Sequence, residues 1–228
     1  MKNEFTKLLK ELNMELTNQQ YSQFETYYKL LTEWNNKINL TAITDYEEVY
    51  IKHFYDSLTL TKAIQFENQT LLDVGSGAGF PSIPLKIMFP NLKITIIDAL
   101  KKRIDFLSLL TEVLELDVNL IHGRAENQKT KESFDLVTAR AVANLNILSE
   151  LCLPFVKVGG NFLVMKGSKG LDEFNNAKHA IIILGGVLEN TKHFDITGET
   201  RIILNIQKRL QSPNKYPRAF KHIKKQPL

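Results

Sequence analysis

Leu71-Leu72-Asp73-Val74-Gly75-Ser76-Gly77-Ala78-Gly79-Phe80-Pro81 is the stretch that decides how this chain is read. Thr70–Val74 is a short β-rich run, and the glycines after it allow backbone approaches that a Cβ would forbid. Pro81 fits the first turn of a helix, where its missing N–H costs nothing. Strand, glycine turn and helix in that order predict a nucleotide site at the carboxyl end of a first parallel strand. The spacing narrows the ligand. A pyrophosphate site takes G-x-G-x-x-G, whereas Gly75, Gly77 and Gly79 give G-x-G-x-G, with Phe80 in the third-glycine position. Asp73 places a negative charge before the loop, which would repel a pyrophosphate and attract a ligand carrying an amino group and a sulfonium. The loop therefore favours a charged amino-acid nucleoside over NAD.

Two markers downstream extend this site. Asp98 ends the run Ile94-Thr95-Ile96-Ile97, nineteen residues past Gly79. An acid there accepts from both ribose hydroxyls, or caps the helix that starts near Lys101, and the two roles are compatible. Gly123-Arg124-Ala125-Glu126 follows a third β-rich run, where an adenine edge would lie.

Further outward, β-rich runs at Thr70–Val74, Ile94–Asp98, Val118–His122, Phe134–Ala139 and Asn161–Met165 alternate with helical stretches at Ile83–Phe89, Arg103–Leu114 and Leu145–Val156. Such alternation predicts an α/β, doubly wound, Rossmann-like fold with a mostly parallel sheet and helices on both faces. Gly186–Phe194 and Thr200–Ile206 are expected to close it as a hairpin, giving seven strands. Residues 1–66 read as a helical extension. Phe5, Leu8, Leu9 and Leu12 share one stripe, Thr17–Gln20 has capping-box spacing, and Thr44–Glu47 repeats the device before a third helix. The expected division is 1–66 helical extension, 67–208 cofactor-binding core and 209–228 basic tail.

Composition sets the class. The 228 residues are 43% hydrophobic and 24% charged, ordinary values for a globular protein. No apolar run approaches the roughly 18–20 residues of a membrane span, and the first residues lack a signal-peptide pattern, so a cytoplasmic protein is expected. One cysteine, Cys152, excludes a disulfide framework and a multi-cysteine metal site, and no metal is expected. The net charge of +4 is unevenly placed, with seven basic residues and no acidic one from Lys208 to Leu228. Such a block attracts polyanions, because each neutralised phosphate releases counterions. Tyr216 and Phe220 lie among those charges, as in surfaces that stack single-stranded bases. The expected RNA-binding set is Lys208, Arg209, Lys215, Tyr216, Arg218, Lys221, Lys224 and Lys225. Packing of Tyr216-Pro217 against the body is the alternative.

Asp73–Pro84, Asp98–Arg103, Gly123–Glu126 and Asp135–Ala143 together resemble the RsmG (GidB) family of bacterial small-subunit rRNA methyltransferases. The likeness continues through Asn39-Leu40-Thr41, His53–Leu58 and Lys215-Tyr216-Pro217-Arg218, and so covers nearly the whole chain. It departs where the family usually has Gly-Phe-Pro-Gly and this chain has Gly79-Phe80-Pro81-Ser82. The resemblance implies S-adenosylmethionine as cofactor and N7 of one guanine in 16S rRNA as acceptor, either as naked RNA or within the 30S subunit. It implies that Gly75 and Phe80 line the methionine and adenosine moieties, that Ala125 and Glu126 lie at the adenine, and that Arg140 stands beside the site. Asp73, Gly77, Gly79 and Asp98 complete the expected cofactor set. Arg140 would hold the cofactor carboxylate or an RNA phosphate. A monomer is expected.

The chemistry agrees with what is missing. Guanine N7 carries an in-plane lone pair and no proton, so no catalytic general base is expected, and Arg140 is the one positioning candidate. After the fourth strand the sequence reads Thr138-Ala139-Arg140-Ala141, not the Asn/Asp-Pro-Pro-aromatic pattern of exocyclic-amine methylation. Cys152 lies within a helical pattern, which is a structural position. His53, Asp56 and Ser57 share a helix face without a nucleophile elbow, so a buried hydrogen-bonded cluster is expected there. The competing readings are a nucleotide-dependent oxidoreductase, disfavoured by Phe80 and Asp73, and an inactive RNA- or ribosome-binding module, disfavoured by the intact glycine loop and Asp98.

Overall fold

The computed structural model describes residues 2–228; Met1, where the helical extension is expected to begin, lies outside the described residues. Helix α1 (Lys2–Glu11) buries Phe5 and Leu9. Helix α2 (Asn18–Ile38) starts at a full capping box. Thr17 Oγ1 accepts the Gln20 N–H at 3.2 Å, and the Gln20 amide oxygen accepts the Thr17 N–H at 2.9 Å. Asp45, rather than Thr44, caps α3 (Tyr46–Val49) by accepting from the Glu48 N–H at 3.0 Å. The helix then widens into a π-helical stretch, Tyr50–Tyr55, before α4 (Asp56–Leu58) and a 3-10 turn, Thr59–Lys62.

Seven strands follow: β1 (Thr70–Val74), β2 (Lys93–Asp98), β3 (Val118–His122), β4 (Phe134–Arg140), β5 (Val156–Lys166), β6 (Gly186–Ile196) and β7 (Glu199–Lys208). They form one sheet in the order β3-β2-β1-β4-β5-β7-β6. Pairings among β1 to β5 are parallel, and β7 runs antiparallel to β5 and β6. Thr197 and Gly198, both at positive φ, make the two-residue turn between β6 and β7. The chain leaves β1 in one direction to β2 and β3 and later returns to β4 on its other side. A crevice therefore opens at the carboxyl ends of β1 and β4.

Side chains alternate across the pleat, so Leu71 and Leu72 of β1 enter different cores. On one face α2, the Tyr50–Leu58 region, α5 (Ser82–Met88) and α6 (Lys101–Val113) bury Phe24, Tyr27, Phe54, Ile83 and Leu107. On the other, α7 (Leu145–Cys152), α8 (Gly170–Ile183) and α9 (Phe220–Lys225) bury Leu148, Cys152, Ile181 and Ile223. Each fully buried aliphatic or aromatic side chain contributes about 1.5–3 kcal/mol.

Two boundaries differ most from the periodicity. Helix α7 stops at Cys152, because Pro154 turns the chain through a 3-10 segment, Leu153–Phe155. Strand β5 begins at Val156 and bends before Asn161, where a Cβ on Gly160 would lie 2.5 Å from the Asp135 carbonyl oxygen. Helix α8 has no counterpart in the sequence reading. The tail is also folded onto the body, with Tyr216 and Ile223 in the second core.

Candidate active site

The glycine loop runs from β1 towards α5, at the crevice between β1 and β4. Gly75 donates its N–H to the Ile97 carbonyl at 2.7 Å, which ties the loop to β2. Gly75, Gly77 and Gly79 take φ of 74°, 62° and 103°. They differ in surroundings. A Cβ at Gly79 would lie 2.7 Å from Ile83 Cγ1 and 2.9 Å from the Tyr27 hydroxyl, whereas one at Gly77 meets nothing within 4 Å. At Gly75 it would strike Val142 Cγ2 at 2.9 Å. Gly79 serves packing, and Gly77 lines open space.

Asp98 stands at the end of β2, nearly buried. Its Oδ2 accepts from the Gly77 N–H at 3.3 Å and lies 3.4 Å from Arg103 Nη1, and its Oδ1 accepts from the Leu100 N–H at 2.9 Å. It thus orders both the glycine loop and the entry to α6. Gly123 donates to the Asp98 carbonyl at 3.0 Å, bringing the β3 end alongside. Ala125 there is buried, and Glu126 lies 3.9 Å from Arg124. Leu100 and Val142 are exposed apolar groups near Asp98 and Gly75, and neither stands out in the sequence. Their signal is weak, since an exposed aliphatic residue is ordinary on any surface.

Asp73 is wholly buried. One carboxylate oxygen accepts from the Ser82 hydroxyl, and the other has no partner. Burial pushes its pKa up to about 7, against the hydrogen bond from Ser82 and the charge of Arg140. Ser76 Oγ, also in the loop, is a second buried polar atom without a partner. Two unsatisfied polar atoms and open space at Gly77 fit a polar, cationic ligand along this loop.

Phe80 departs from its expected place. It is 4% exposed and stacks against His53 and Tyr27, with ring centroids 4.5 and 5.4 Å away. The Arg140 guanidinium sits 4.8 Å from its ring centroid. Phe80 is therefore packing beneath the loop, because its aromatic neighbours and Arg140 enclose it.

The His53, Asp56 and Ser57 cluster closes around Arg140. Arg140 Nη1 donates to Asp56 Oδ2 at 3.0 Å and to the Lys52 carbonyl at 3.3 Å, and Nη2 lies 3.2 Å from His53 Nδ1. Arg201 of β7 donates from Nε to Asp56 Oδ1 at 3.1 Å, a partner the sequence reading missed because it lies far along the chain. Burial, with the charge of Arg140 beside it, drives the His53 pKa down to about 3. Nδ1 of the neutral ring lies 3.1 Å from the Lys52 carbonyl oxygen and 3.2 Å from Arg140 Nη2, and Nε2 lies 2.7 Å from Thr41 Oγ1, so both ring nitrogens have partners. Ser57 Oγ donates to the His53 carbonyl at 2.6 Å. The cluster fixes Arg140 at the end of β4, and no acidic or basic member is free to move a proton.

Lys166 at the end of β5 and Glu173 on α8 pin the loop after β4. Lys166 Nζ donates to the Ala143 carbonyl at 3.0 Å and pairs with Glu173 Oε2 at 2.7 Å. The same oxygen accepts the Leu145 N–H at 2.9 Å. That clamp sets the loop carrying Val142 over Gly75.

The tail divides. Lys208 is wholly buried, bonding to the Leu153 carbonyl at 2.7 Å and Ser212 Oγ at 2.6 Å, and burial lowers its pKa to about 8. Tyr216 is in the core. Arg218 donates from Nε and Nη2 to the buried Glu150 at 2.8 and 2.6 Å. Lys208 and Tyr216 are buried and Arg218 is half-buried on Glu150, so these three hold the tail to the fold. Lys215, Lys221, Lys224 and Lys225 are exposed, and Arg209 is exposed while paired with Glu189. Phe220 lies under the Arg124 guanidinium at 5.5 Å, joining α9 to the β3 loop. Among the described residues no cluster of His, Cys, Asp and Glu has the arrangement of a metal site.

Comparison with known proteins bears on this arrangement. Residues 20–203 match the family described as rRNA small subunit methyltransferase G. The chain belongs to that family. The ribosomal RNA small subunit methyltransferase G of Staphylococcus aureus (strain Newman) is 53% identical, covering 96% of this chain and 95% of its own. Its counterpart in Staphylococcus carnosus is 51% identical with the same coverage. Among solved structures, a Pyrococcus furiosus methyltransferase superposes with TM-score 0.59 at 15% identity, over 83% of this chain and all of that one. M. jannaschii TYW2, solved in complex with AdoMet, gives 0.55 at 15% identity over 68% and 76%. At those identities the likeness concerns the methyltransferase fold, which this member of the methyltransferase G family shares.

Proposed function

We propose that this protein transfers the methyl group of S-adenosylmethionine to N7 of a guanine in small-subunit (16S) rRNA. The observation that carries the reading is the glycine-loop crevice, with open space at Gly77 beside Asp98, in a chain 53% identical along 96% of its length to a named small-subunit rRNA methyltransferase. Gly75 and Gly77 would hold the cofactor with their backbone, Asp98 would take its ribose hydroxyls, and Ala125 and Glu126 would border its adenine. Asp73 acts through its field from beneath the loop. When bound, S-adenosylmethionine supplies a methyl group activated by its sulfonium.

The protein's own contribution is positioning. Guanine N7 needs no deprotonation, and His53, neutral and fully hydrogen-bonded, is not asked to provide it. Orienting an acceptor lone pair accounts for about 7–11 kcal/mol where geometry is well held. Arg140, fixed by Asp56, His53 and the Lys52 carbonyl, places a permanent cation beside the crevice for an RNA phosphate. Lys215, Lys221, Lys224 and Lys225 attract the RNA backbone. The protein works as a monomer in the cytoplasm; no described helix is long and apolar enough to cross a membrane.

The test is transfer of labelled methyl from S-adenosylmethionine to naked 16S rRNA and to 30S subunits from cells lacking the endogenous enzyme. Label in either substrate supports the reading and says which form is used. RNA binding without transfer, and indifferent to cofactor, would move the protein to the binding-module class.

A further inference from the structure

We propose that the cleft beyond the ends of β4, β5 and β7 seats the acceptor base, and that Glu173 is the residue that selects guanine there. This rests on the guanine methyltransferase reading above and names the part of the site that reads the base.

The cleft encloses about 320 Å³, near the lower end of the roughly 300–1,000 Å³ usual for small-molecule sites. Met165, Phe194 and Ile203 give it apolar walls, against which a purine can lie flat. Arg140 and Ala141 belong to its lining, and the chain passes from them directly to Val142, which packs over Gly75. A base in the cleft thus lies on the β4–β5 side of the switch point, with Gly77, Asp98 and Ala125 on the β1–β3 side.

Most polar groups in the cleft are already committed. Both oxygens of Asp56 are taken, by Arg140 and Arg201. Lys166 is held by the Ala143 carbonyl and by Glu173 Oε2, and that oxygen also accepts the Leu145 N–H. Among the described residues Glu173 Oε1 has no hydrogen-bond partner within the protein, on a carboxylate held through Oε2 by an ammonium and a backbone amide and bordering both this cleft and the one lined by Asn144, Asn146 and Asn176.

That oxygen is an acceptor only. The Watson–Crick edge of guanine offers two adjacent donors, N1–H and the exocyclic amine. Adenine presents a bare N1 lone pair in the same place, and a carboxylate repels it. Enzymes that act on an extruded base read this edge by hydrogen bonding and hold the ring by stacking. A guanine held by N1–H and its amine also presents N7 on its far edge, away from Glu173. Selection and exposure of the reacting atom thus follow from one contact. Arg140 and Arg201, braced by Asp56, are left for O6 or the phosphate.

The experiment uses the full chain saturated with S-adenosylhomocysteine, with the Met165 methyl resonance followed while 5′-GMP or 5′-AMP is added. The wild-type protein should bind 5′-GMP with a shift at Met165, and about 5- to 150-fold more tightly than 5′-AMP, the worth of one well-formed base contact. In Glu173→Gln that preference should collapse, with S-adenosylhomocysteine affinity within about twofold of wild type, a difference of only some 0.4 kcal/mol. An unmoved Met165 resonance would overturn the proposal, as would a preference that survives in Glu173→Gln. Parallel loss of both nucleotides and of S-adenosylhomocysteine would also overturn it, by reducing Glu173 to its clamp on Leu145 and Lys166. The parent reading is separable. Transfer to rRNA by the wild-type protein tests that reading, and wild-type transfer rates in Glu173→Gln would sink only the base-reading role.

Discussion

Gly77 and Gly79 share left-handed backbone angles but answer to different demands. Gly79 is hemmed in by Ile83, Tyr27 and Leu107, so Gly79→Ala should lower stability by about 1–3 kcal/mol, read as a lower midpoint in thermal unfolding. Gly77 faces open space, and Gly77→Ala costs about 1–2 kcal/mol of left-handed strain at most. Its larger effect should be on S-adenosylmethionine affinity, weakened about tenfold or more, that is by at least some 1.4 kcal/mol, in calorimetric titration. His53 and Asp73 carry opposite pH dependences. The unfolded chain binds a proton at His53 near pH 6.5, while burial and Arg140 keep the folded ring neutral to about 3. The stability His53 contributes is therefore complete above pH 6.5 and lost as pH falls towards 3. Wild type should exceed His53→Gln in urea unfolding at pH 7, with the gap narrowing at pH 4.5. Asp73, at about 7 folded and 3.8 unfolded, favours the fold at low pH and loses that contribution as pH rises through 7. Asp73→Asn should accordingly gain on wild type between pH 5 and pH 8. The place of Asp73 and the glycine loop at the end of β1, and of Asp98 at the end of β2, follows from spacing alone. The burial of Phe80 does not, since its neighbours Tyr27, His53 and Arg140 come from three separate parts of the chain.

At the level of elements, local signals set most of the boundaries. The capping box at Thr17 is a four-residue signal, and Thr17→Ala should cost about 1 kcal/mol, seen in thermal unfolding with cofactor affinity unchanged. Strands β1 to β4 start and stop close to their apolar runs, because each is bounded by polar or glycine residues. Helix α8 was missed, although Asp172 and Glu173 sit in its first turn, because its apolar positions form no clean stripe. The end of α7 was misplaced because Leu151 to Val156 continues an apolar pattern through Pro154. The π-helical stretch Tyr50–Tyr55 left no mark in the periodicity, yet it carries His53 into contact with Arg140. Only the expectation of a buried polar cluster, drawn from helical spacing, pointed there.

For the molecule as a whole, charge alone does not show how the C-terminal segment is held. Seven basic residues mark it as a basic tail, and Lys208, Tyr216 and Arg218 fasten it to the body, the packing alternative weighed for Tyr216-Pro217. Removing residues 209–228 would strip Tyr216 and Ile223 from the second core and leave Glu150 buried without its partner. Loss of one partner from such a pair costs about 3–5 kcal/mol, so the truncated chain should unfold or aggregate on heating well before wild type. Replacing Lys221, Lys224 and Lys225 by alanine should leave the unfolding midpoint intact while lowering RNA affinity. Its salt dependence should flatten by about 0.7–0.9 in log–log slope for each phosphate contact removed. The central claim is the identity of the transferred group and its destination. The direct measurement is to methylate small-subunit particles lacking the modification and map the product by reduction and strand scission, which cleaves RNA at N7-methylguanine. A single new cleavage at one guanine of 16S rRNA, dependent on both protein and S-adenosylmethionine, is the predicted result; methyl label incorporated into that RNA without any such cleavage would contradict the account.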